Sequence, residues 1–178
     1  MRVVSGKYKG MRFRPPSKFP SRPTTDMAKE GLFSILNARM YFDNLDVLDL
    51  FSGTGNISLE FLSRGVGSVV SVDKHPVSYR FQEKVAAELN ETNWHILRQN
   101  AMEYLKNCNR QFDVIFTDPP YNFERHLEIH QLVFENNLLV DDGLLIIEHS
   151  DRIELNGVEH YKETRSYGGV CFSFYEPK

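Results

Sequence analysis

The sequence predicts an α/β fold: a Rossmann-like mixed sheet of seven strands with helices on both faces. Short apolar runs, beginning with LDVLDLF at 45–51, alternate five times with segments of helical periodicity. The runs are apolar almost throughout, which is typical of parallel strands that helices cover on both sides. Near the C-terminus, YKETRSY and GVCFSFYE flank Gly168 and Gly169. This pattern predicts an antiparallel hairpin that closes the sheet.

A proline-rich connection, PSKFPSRP, precedes the first predicted helix. Thr24, Thr25 and Asp26 offer capping oxygens to this helix, whose apolar residues recur at three- to five-residue steps as far as Met40. The elements that follow alternate between strand and helix, and the first of them is a strand. They are predicted at 45–51, 56–64, 68–73, 76–89, 95–99, 101–106, 112–118, 126–135 and 144–150. This alternation is the architecture of class I S-adenosylmethionine-dependent methyltransferases, an analogy at the level of fold alone.

Length and composition limit the class of protein. A chain of 178 residues is most economically one domain, and its 41% hydrophobic and 25% charged residues are ordinary for a globular protein. No apolar run approaches the length that crosses a bilayer, and the first residues lack a signal-peptide core, so we expect a cytoplasmic protein without a membrane span. Cys108 and Cys171 lack disulfide or zinc spacing, so neither a disulfide nor a bound metal is predicted.

Positive charge is concentrated at the start of the chain. Residues 1–30 contain eight Lys or Arg against two acids, although the whole chain has a net charge of -3. A basic arm on an acidic body steers a protein toward a polyanion, and aromatic residues among the cations favour nucleic acid. A solvated, flexible terminus is the alternative. We expect an arm at 1–24 and a main domain at 25–178. The predicted nucleic-acid contacts are Arg2, Lys7, Lys9, Arg12, Arg14 and Arg22.

A glycine-rich turn follows the first predicted strand. In LDLFSGTGNISLE, Asp49 ends the strand, and Gly53 and Gly55 let the backbone approach a ligand closely before a helix starts at Asn56. The N–H groups of that helix start suit an anionic group, and Asp73, at the end of the second strand, suits ribose hydroxyls. A nucleoside-containing cofactor is therefore predicted. Its predicted contacts are Asp49, Ser52, Gly53, Thr54, Gly55, Asn56, Asp73, Lys74, Asn100 and Ala101.

Three alternatives compete for this turn. A dinucleotide-binding loop needs the third glycine of G-x-G-x-x-G, and a P-loop needs Gly-Lys-Ser/Thr; both patterns are missing from the sequence. A purely structural turn between strand and helix is the third. The acids that end the first two strands favour the cofactor.

The apolar run FDVIF ends in TDPPY at 117–121. The exocyclic amine of guanine or adenine is a poor nucleophile because its lone pair is delocalised into the ring. Acceptors on both of its N–H groups favour a pyramidal nitrogen and stabilise the positive charge that develops during methyl transfer. We predict a clamp in which Asp118 and the Pro119 carbonyl accept the amine, Pro120 stiffens the turn, and Tyr121 stacks on the base. An ordinary turn is the alternative.

Four stretches together resemble a known family. MRVVSGKYKGMRFRPP, RPTTDMAKEGLFSIL, the glycine turn and FDVIFTDPPY are similar to successive signatures of the bacterial small-subunit (16S) ribosomal RNA guanine-N2 methyltransferases, the RsmD type. The resemblance implies methyl transfer from S-adenosylmethionine, with S-adenosylhomocysteine as product and no metal. The implied partner is ribosomal RNA or a small-subunit assembly particle, with the RNA contacts in the arm. We expect a monomer.

Two other functions remain open at this point. One is the same chemistry on another base, such as adenine N6 in RNA or DNA, and the other is a non-catalytic RNA-binding or assembly protein. Glu148 and His149 end the fifth strand and are candidates for placing the base, with structural hydrogen bonding as the alternative. Arg22, Pro23 and Thr24 are candidates for closing over the cofactor, with an ordinary helix entry as the alternative.

Overall fold

The computed structural model describes residues 1–19 and 24–178. The seven strands found there are β1 (Asp46–Leu50), β2 (Ser68–Asp73), β3 (Trp94–Arg98), β4 (Phe112–Thr117), β5 (Leu139–Ser150), β6 (Tyr161–Tyr167) and β7 (Val170–Tyr175). The helices are α1 (Asp26–Arg39), α2 (Asn56–Ser63), α3 (Pro76–Leu89), α4 (Ala101–Asn107) and α5 (His126–Glu135). The strand order is β3-β2-β1-β4-β5-β7-β6, with β7 antiparallel to both of its neighbours. The predicted fold is confirmed.

Helices cover both faces of the sheet because adjacent residues of each strand point to opposite sides. On one side, Val47, Val69 and Val114 pack in a cluster with α1, α2 and α3. On the other side, the next residues along the strands, such as Leu48 and Val70, pack with α4 and α5. In the described ranges, no helix is long and apolar enough to span a bilayer.

The strand β5 starts earlier than the sequence predicts. Residues 141–143 are Asp, Asp and Gly, which favour a turn, yet the strand begins at Leu139 rather than Leu144. The pairing of β4 with β5 shifts its register between Phe112 and Val114, so the sheet absorbs the irregular residues as a bulge. Pairing with a neighbouring strand has overridden the local turn preference.

The first residues form a small hairpin that packs on the body of the protein. The Val3 N–H donates to the Met11 carbonyl at 3.0 Å, and the Val3 side chain is buried. Gly6 has a φ of +84°, and a Cβ there would overlap the backbone carbonyl of Ser63 at the end of α2. The beginning of the predicted arm is thus in close contact with α2.

A buried group of charged side chains, named here the Glu60 cluster (Lys29, Glu60 and Arg64), joins this hairpin to α1 and α2. Lys29 of α1 and Glu60 of α2 are 1% and 0% exposed, and Nζ lies 3.2 Å from Oε2. The Glu60 carboxylate also accepts the N–H groups of Val4 and Ser5, at 2.9 and 3.0 Å, and the Arg64 guanidinium at 2.9 Å. Charges removed from water are stable only when they are paired in this way.

Lys29 uses its other donors on either side of this cluster. Its ammonium group donates to the backbone carbonyl of Arg2 and, at 2.8 Å, to the side-chain oxygen of Asn56, the first residue of α2. The Asn56 amide in turn donates to the Thr24 carbonyl at 3.4 Å. The hairpin, the entry to α1 and the start of α2 are therefore held in one arrangement.

Replacing Lys29 with Met should lower the free energy of unfolding by about 3 kcal/mol, because Glu60 keeps its charge and loses a buried partner. Urea unfolding followed by circular dichroism measures this change. Lys84→Met is the matched control: 72% of the Lys84 side chain is exposed in its ion pair with Glu88, so little change is expected. Equal losses in the two variants would contradict the structural role of the Glu60 cluster.

Candidate active site

Four carboxylates lie at the carboxyl ends of the parallel strands. Asp49 is near the end of β1, and Asp73 ends β2. Asp118 and Glu148 come directly after the last two residues that are paired between β4 and β5. Counted from residues that are paired between neighbouring strands, these four positions differ by even numbers of residues. Their side chains therefore point to the same face of the sheet, the face that α1, α2 and α3 cover. The structure therefore brings together acids that lie far apart in the sequence.

The glycine turn after β1 has a backbone conformation that favours glycine. Gly53 and Gly55 have φ values of +53° and +75°, and a Cβ on Gly55 would lie 2.5 Å from the Trp94 ring. Gln82 of α3 is buried behind the turn, where its amide donates to the Gly53 carbonyl at 2.8 Å and to the Ser52 hydroxyl at 2.9 Å. Sequence reasoning missed Gln82, because no local pattern links it to a turn that precedes it by 29 residues.

Asp49 is buried and held by the helix that follows the turn. Its carboxylate accepts the Ser58 N–H at 3.2 Å and the Ser58 hydroxyl at 2.5 Å. That hydroxyl contacts Ser71 at 2.7 Å, and Ser71 accepts the Trp94 indole N–H at 2.6 Å. Burial, reinforced by the charge of Asp118, raises the pKa of Asp49 to about 7 in spite of the Ser58 hydrogen bonds. Asp49 thus accepts one of the N–H groups at the start of the helix, where an anionic group of a ligand is predicted to bind.

Asp73 is fixed by the backbone around it. One carboxylate oxygen accepts the Gly53 N–H at 2.9 Å, and the other accepts the His75 N–H at 2.8 Å. Each carboxylate oxygen has a second lone pair, so the partly exposed side chain can still accept ribose hydroxyls. Lys74 beside it is exposed, whereas Thr54 in the glycine turn is buried.

Asn100 has a structural role at the position where the adenine end of the cofactor is predicted to bind. Its side-chain oxygen accepts the N–H groups of Met102 and Glu103, at 2.9 and 3.2 Å, and so caps α4. Within the described residues its amide NH₂ group donates no hydrogen bond, and the neighbouring Ala101 is buried. Contact between Asn100 and adenine stays a prediction.

The Asp-Pro-Pro-Tyr segment forms an open turn after β4. Asp118 is partly buried, and Tyr121 is 82% exposed. The Pro120 carbonyl accepts the Phe123 N–H at 2.8 Å, whereas the Pro119 carbonyl accepts no hydrogen bond in the part of the chain that the structure describes. In the same part of the chain, the Asp118 carboxylate also accepts no hydrogen bond, so both acceptors predicted to hold an amine are available there.

Glu148 lies beside Asp118 and is only 7% exposed. The Thr24 hydroxyl donates to its Oε2 at 3.1 Å. Burial, together with the charge of Asp49, raises the pKa of Glu148 to about 7 despite this hydrogen bond, and burial together with the charge of Glu148 raises the pKa of Asp118 well above its ordinary value. An edge so rich in poorly solvated carboxylates suits a ligand that carries positive charge.

His149, the other candidate at the end of β5, has structural partners instead. Its ring nitrogens contact the Ser150 carbonyl at 2.8 Å and the Ser173 hydroxyl at 2.7 Å. This arrangement favours the structural alternative for His149. Of the segment expected to close over the cofactor, Thr24 contacts Glu148, and Arg22 and Pro23 lie outside the described residues.

Five of the six cations predicted to bind RNA lie in the described residues, and they divide into two groups. Arg2 pairs with Asp26 and Glu30, and Lys7 pairs with Glu91 at 2.8 Å. Three others are exposed and form no ion pair within residues 1–19 and 24–178; they are Lys9, Arg12 and Arg14. These three are the most available to an external anion.

The strand order, the glycine turn beside Asp73 and the Asp-Pro-Pro-Tyr turn define a methyltransferase of Rossmann-like fold. The family model described as Conserved hypothetical protein 95 matches residues 1–176. The chain belongs to this family, that of the RsmD-type ribosomal RNA small-subunit methyltransferases, which confirms the resemblance found in the sequence.

Similar proteins cover most of the chain. The ribosomal RNA small subunit methyltransferase D of Buchnera aphidicola subsp. Baizongia pistaciae is 32% identical over 154 residues, which are 86% of this chain and 78% of the relative. A solved structure of a proposed methyltransferase, yhhF of Escherichia coli, matches with a TM-score of 0.84 at 26% identity and covers 98% of this chain and 96% of that one.

A more distant solved structure is the Thermus thermophilus 16S rRNA N2 methyltransferase RsmC in complex with AdoMet and guanosine. It matches with a TM-score of 0.68 over 90% of this chain and 45% of that chain. The sequence identity is 23%, so this likeness shows the fold alone.

Gly55→Ala should destabilise the protein by about 1–3 kcal/mol more than Gly10→Ala, because the added methyl group overlaps the Trp94 ring. Gly10 is the matched control: its φ of +84° carries a similar backbone cost, but a Cβ there meets nothing within 4 Å. Chemical unfolding of both variants measures the difference. Similar losses would show that the turn tolerates the methyl group.

Proposed function

We propose that this protein transfers the methyl group of S-adenosylmethionine to the exocyclic N2 amine of a guanine in 16S ribosomal RNA. The observation that carries the proposal is the pair of available acceptors, on Asp118 and Pro119, at the same sheet edge as the glycine turn. Family membership supports it, as does the relative named as a small-subunit ribosomal RNA methyltransferase. The complex of RsmC with AdoMet and guanosine illustrates that this fold accommodates both molecules.

The residues at this edge fit S-adenosylmethionine. When bound, the cofactor supplies a methyl group activated by a sulfonium ion. The glycine turn, with positive φ at Gly53 and Gly55, would hold the methionine part, Asp73 the ribose, and Asn100 with Ala101 the adenine. The buried carboxylate of Asp49 complements the positive charge of the cofactor. No side chain has to act as a nucleophile, so the chain's main task is positioning.

The clamp would act on the target amine in two ways. Asp118 and the Pro119 carbonyl accept its two N–H groups, which turns the nitrogen lone pair toward the methyl group. As the new N–C bond formed and the bond between the methyl group and the sulfonium broke, positive charge would pass to the nitrogen, and the ionised carboxylate of Asp118 would stabilise it. The raised pKa of Asp118 also suits it to receive the proton that the methylated amine loses. Exposed Tyr121 is available to stack on a base that has left its helix.

Asp118→Asn should lower kcat at least about 100-fold, because the amide cannot neutralise the charge that develops on the amine. The dissociation constant for S-adenosylmethionine should stay within about threefold. The measurement is transfer of labelled methyl groups to small ribosomal subunits from a strain that lacks this gene, followed by nucleoside analysis for N2-methylguanosine.

The control for this variant is the same change at exposed Asp151, which should leave the rate unaltered. Label in adenine would refute the proposed reaction, whereas N2-methylguanosine formation by the Asp118→Asn variant at the wild-type rate would refute the role of Asp118 in it.

The available cations of the arm support ribosomal RNA as the substrate. Lys9, Arg12 and Arg14 are exposed on a hairpin that is fixed to the body, so a bound phosphate backbone would have a defined path relative to the clamp.

The proposal includes a basic arm at 1–24, a catalytic domain at 25–178, a monomeric protein and a cytoplasmic location, where bacterial ribosomal RNA is modified.

Replacing Lys9, Arg12 and Arg14 together with Gln should weaken binding to 16S RNA and reduce the slope of log K against log salt by about 2, since up to three phosphate contacts are lost. Filter binding at several salt concentrations measures both quantities. The control triple variant replaces three exposed cations elsewhere with Gln, namely Lys84, Lys106 and Arg152. An equal change of slope in both triple variants would contradict a specific role for the arm.

A further inference from the structure

Glu148 is one of the carboxylates at the sheet edge whose capacity to accept hydrogen bonds is largely unused by the described residues. Asp49 is committed to two hydrogen bonds from Ser58, and both oxygens of Asp73 accept backbone N–H groups. Glu148 accepts one hydrogen bond, from the Thr24 hydroxyl to Oε2, and within the described residues its Oε1 accepts none. Glu148 is 7% exposed, so an external donor can still reach its carboxylate.

The position of Glu148 shows where that donor would be. Thr117 of β4 is in register with Ile147 of β5, so the next residues, Asp118 and Glu148, stand side by side on the same face. Burial and then the charge of Glu148 raise the pKa of Asp118, and the second contribution is expected for neighbouring carboxylates. A base whose amine is held by Asp118 therefore presents the adjacent part of its ring to Glu148.

The adjacent ring atom differs between the purines. In guanine, the N2 amine is flanked by N3, which carries a lone pair, and by N1, which carries a proton. On the N1 side, the amine and N1–H form a row of N–H donors that suits carboxylates. In adenine, N1 next to the N6 amine carries a lone pair, which a carboxylate would repel. A flipped base is read through such hydrogen bonds on its Watson–Crick edge.

We propose that Glu148 selects guanine by accepting the N1–H of the flipped base, while Asp118 and Pro119 hold its N2 amine. Thr24 is the positioning residue, because its hydroxyl fixes one carboxylate oxygen and leaves the other for the base. This inference rests on the proposed function and adds discrimination against adenine, since an acceptor pair on an amine does not by itself distinguish the purines.

The test compares guanine with 2-aminopurine, which keeps the N2 amine but has a lone pair at N1. Small subunits are reconstituted with 16S RNA that carries either base at the position methylated by the wild-type protein, mapped beforehand. The ratio of kcat/KM for the two bases is measured for wild type, Glu148→Gln, Thr24→Val and Thr24→Ser. Because 2-aminopurine also lacks O6, only the change of this ratio between variants reports on Glu148.

Wild type should prefer guanine at least about 100-fold, since a site built to accept a hydrogen bond rejects an analogue without the donor. In Glu148→Gln the ratio should fall at least about 30-fold, because the amide can turn its NH₂ group to the lone pair of 2-aminopurine. Thr24→Val should lower the ratio by a smaller factor, and Thr24→Ser should restore it because the hydroxyl is retained. Affinity for S-adenosylmethionine should stay within about threefold throughout.

A ratio that is the same in wild type and Glu148→Gln overturns the inference, whether or not both rates fall. A loss of S-adenosylmethionine affinity with an unchanged ratio would assign Glu148 to the cofactor and also overturns it. If Glu148→Gln does not fold, Thr24→Val with its Thr24→Ser rescue decides the question. Failure of wild type to methylate even the guanine substrate would refute the proposed function, which is a distinct outcome.

Discussion

The buried ion pair between Lys29 and Glu60 is the constraint on which the relative positions of the arm, α1 and α2 depend. Two charges held out of water are costly unless their hydrogen-bonding groups are used, and here the partners come from three segments. The hairpin contributes backbone groups, Asn56 at the start of α2 binds the ammonium group, and Arg64 after α2 binds the carboxylate. Moving any one segment would leave a buried charge unpaired, so these segments have one stable arrangement.

The same arrangement reaches the clamp through α1. Asn56 donates to the backbone carbonyl of Thr24, and the Thr24 hydroxyl donates to Glu148 beside Asp118. Asp49, Asp118 and Glu148 have pKa values raised by burial and by the charges of neighbouring acids, so without a cation the fold favours their partly protonated forms. A cationic ligand reverses this balance, because it stabilises the ionised carboxylates. Its binding is therefore coupled to proton release.

The fold and the outline of the site could be predicted because their signals are local. Apolar runs, the glycine turn and the Asp-Pro-Pro-Tyr segment each lie within a few consecutive residues, and parallel strands place their ends together. The supporting contacts join distant residues: Gln82 is 29 positions from Gly53, and Thr24 is 124 positions from Glu148. No periodicity encodes such pairs, since they depend on how the helices settle on the sheet.

The helix α2 shows how part of this could have been recognised. Its eight residues, NISLEFLS, are buried on every side, so Glu60 has no route to water. An acid in a helix this apolar is almost never fully buried without a partner, and a glutamate at this position therefore demands a cation and several donors from neighbouring segments. The cations are Lys29 of α1 and Arg64, and the start of the chain supplies two further donors, the N–H groups of Val4 and Ser5. Burial of one acid thus explains why the arm is folded against α2.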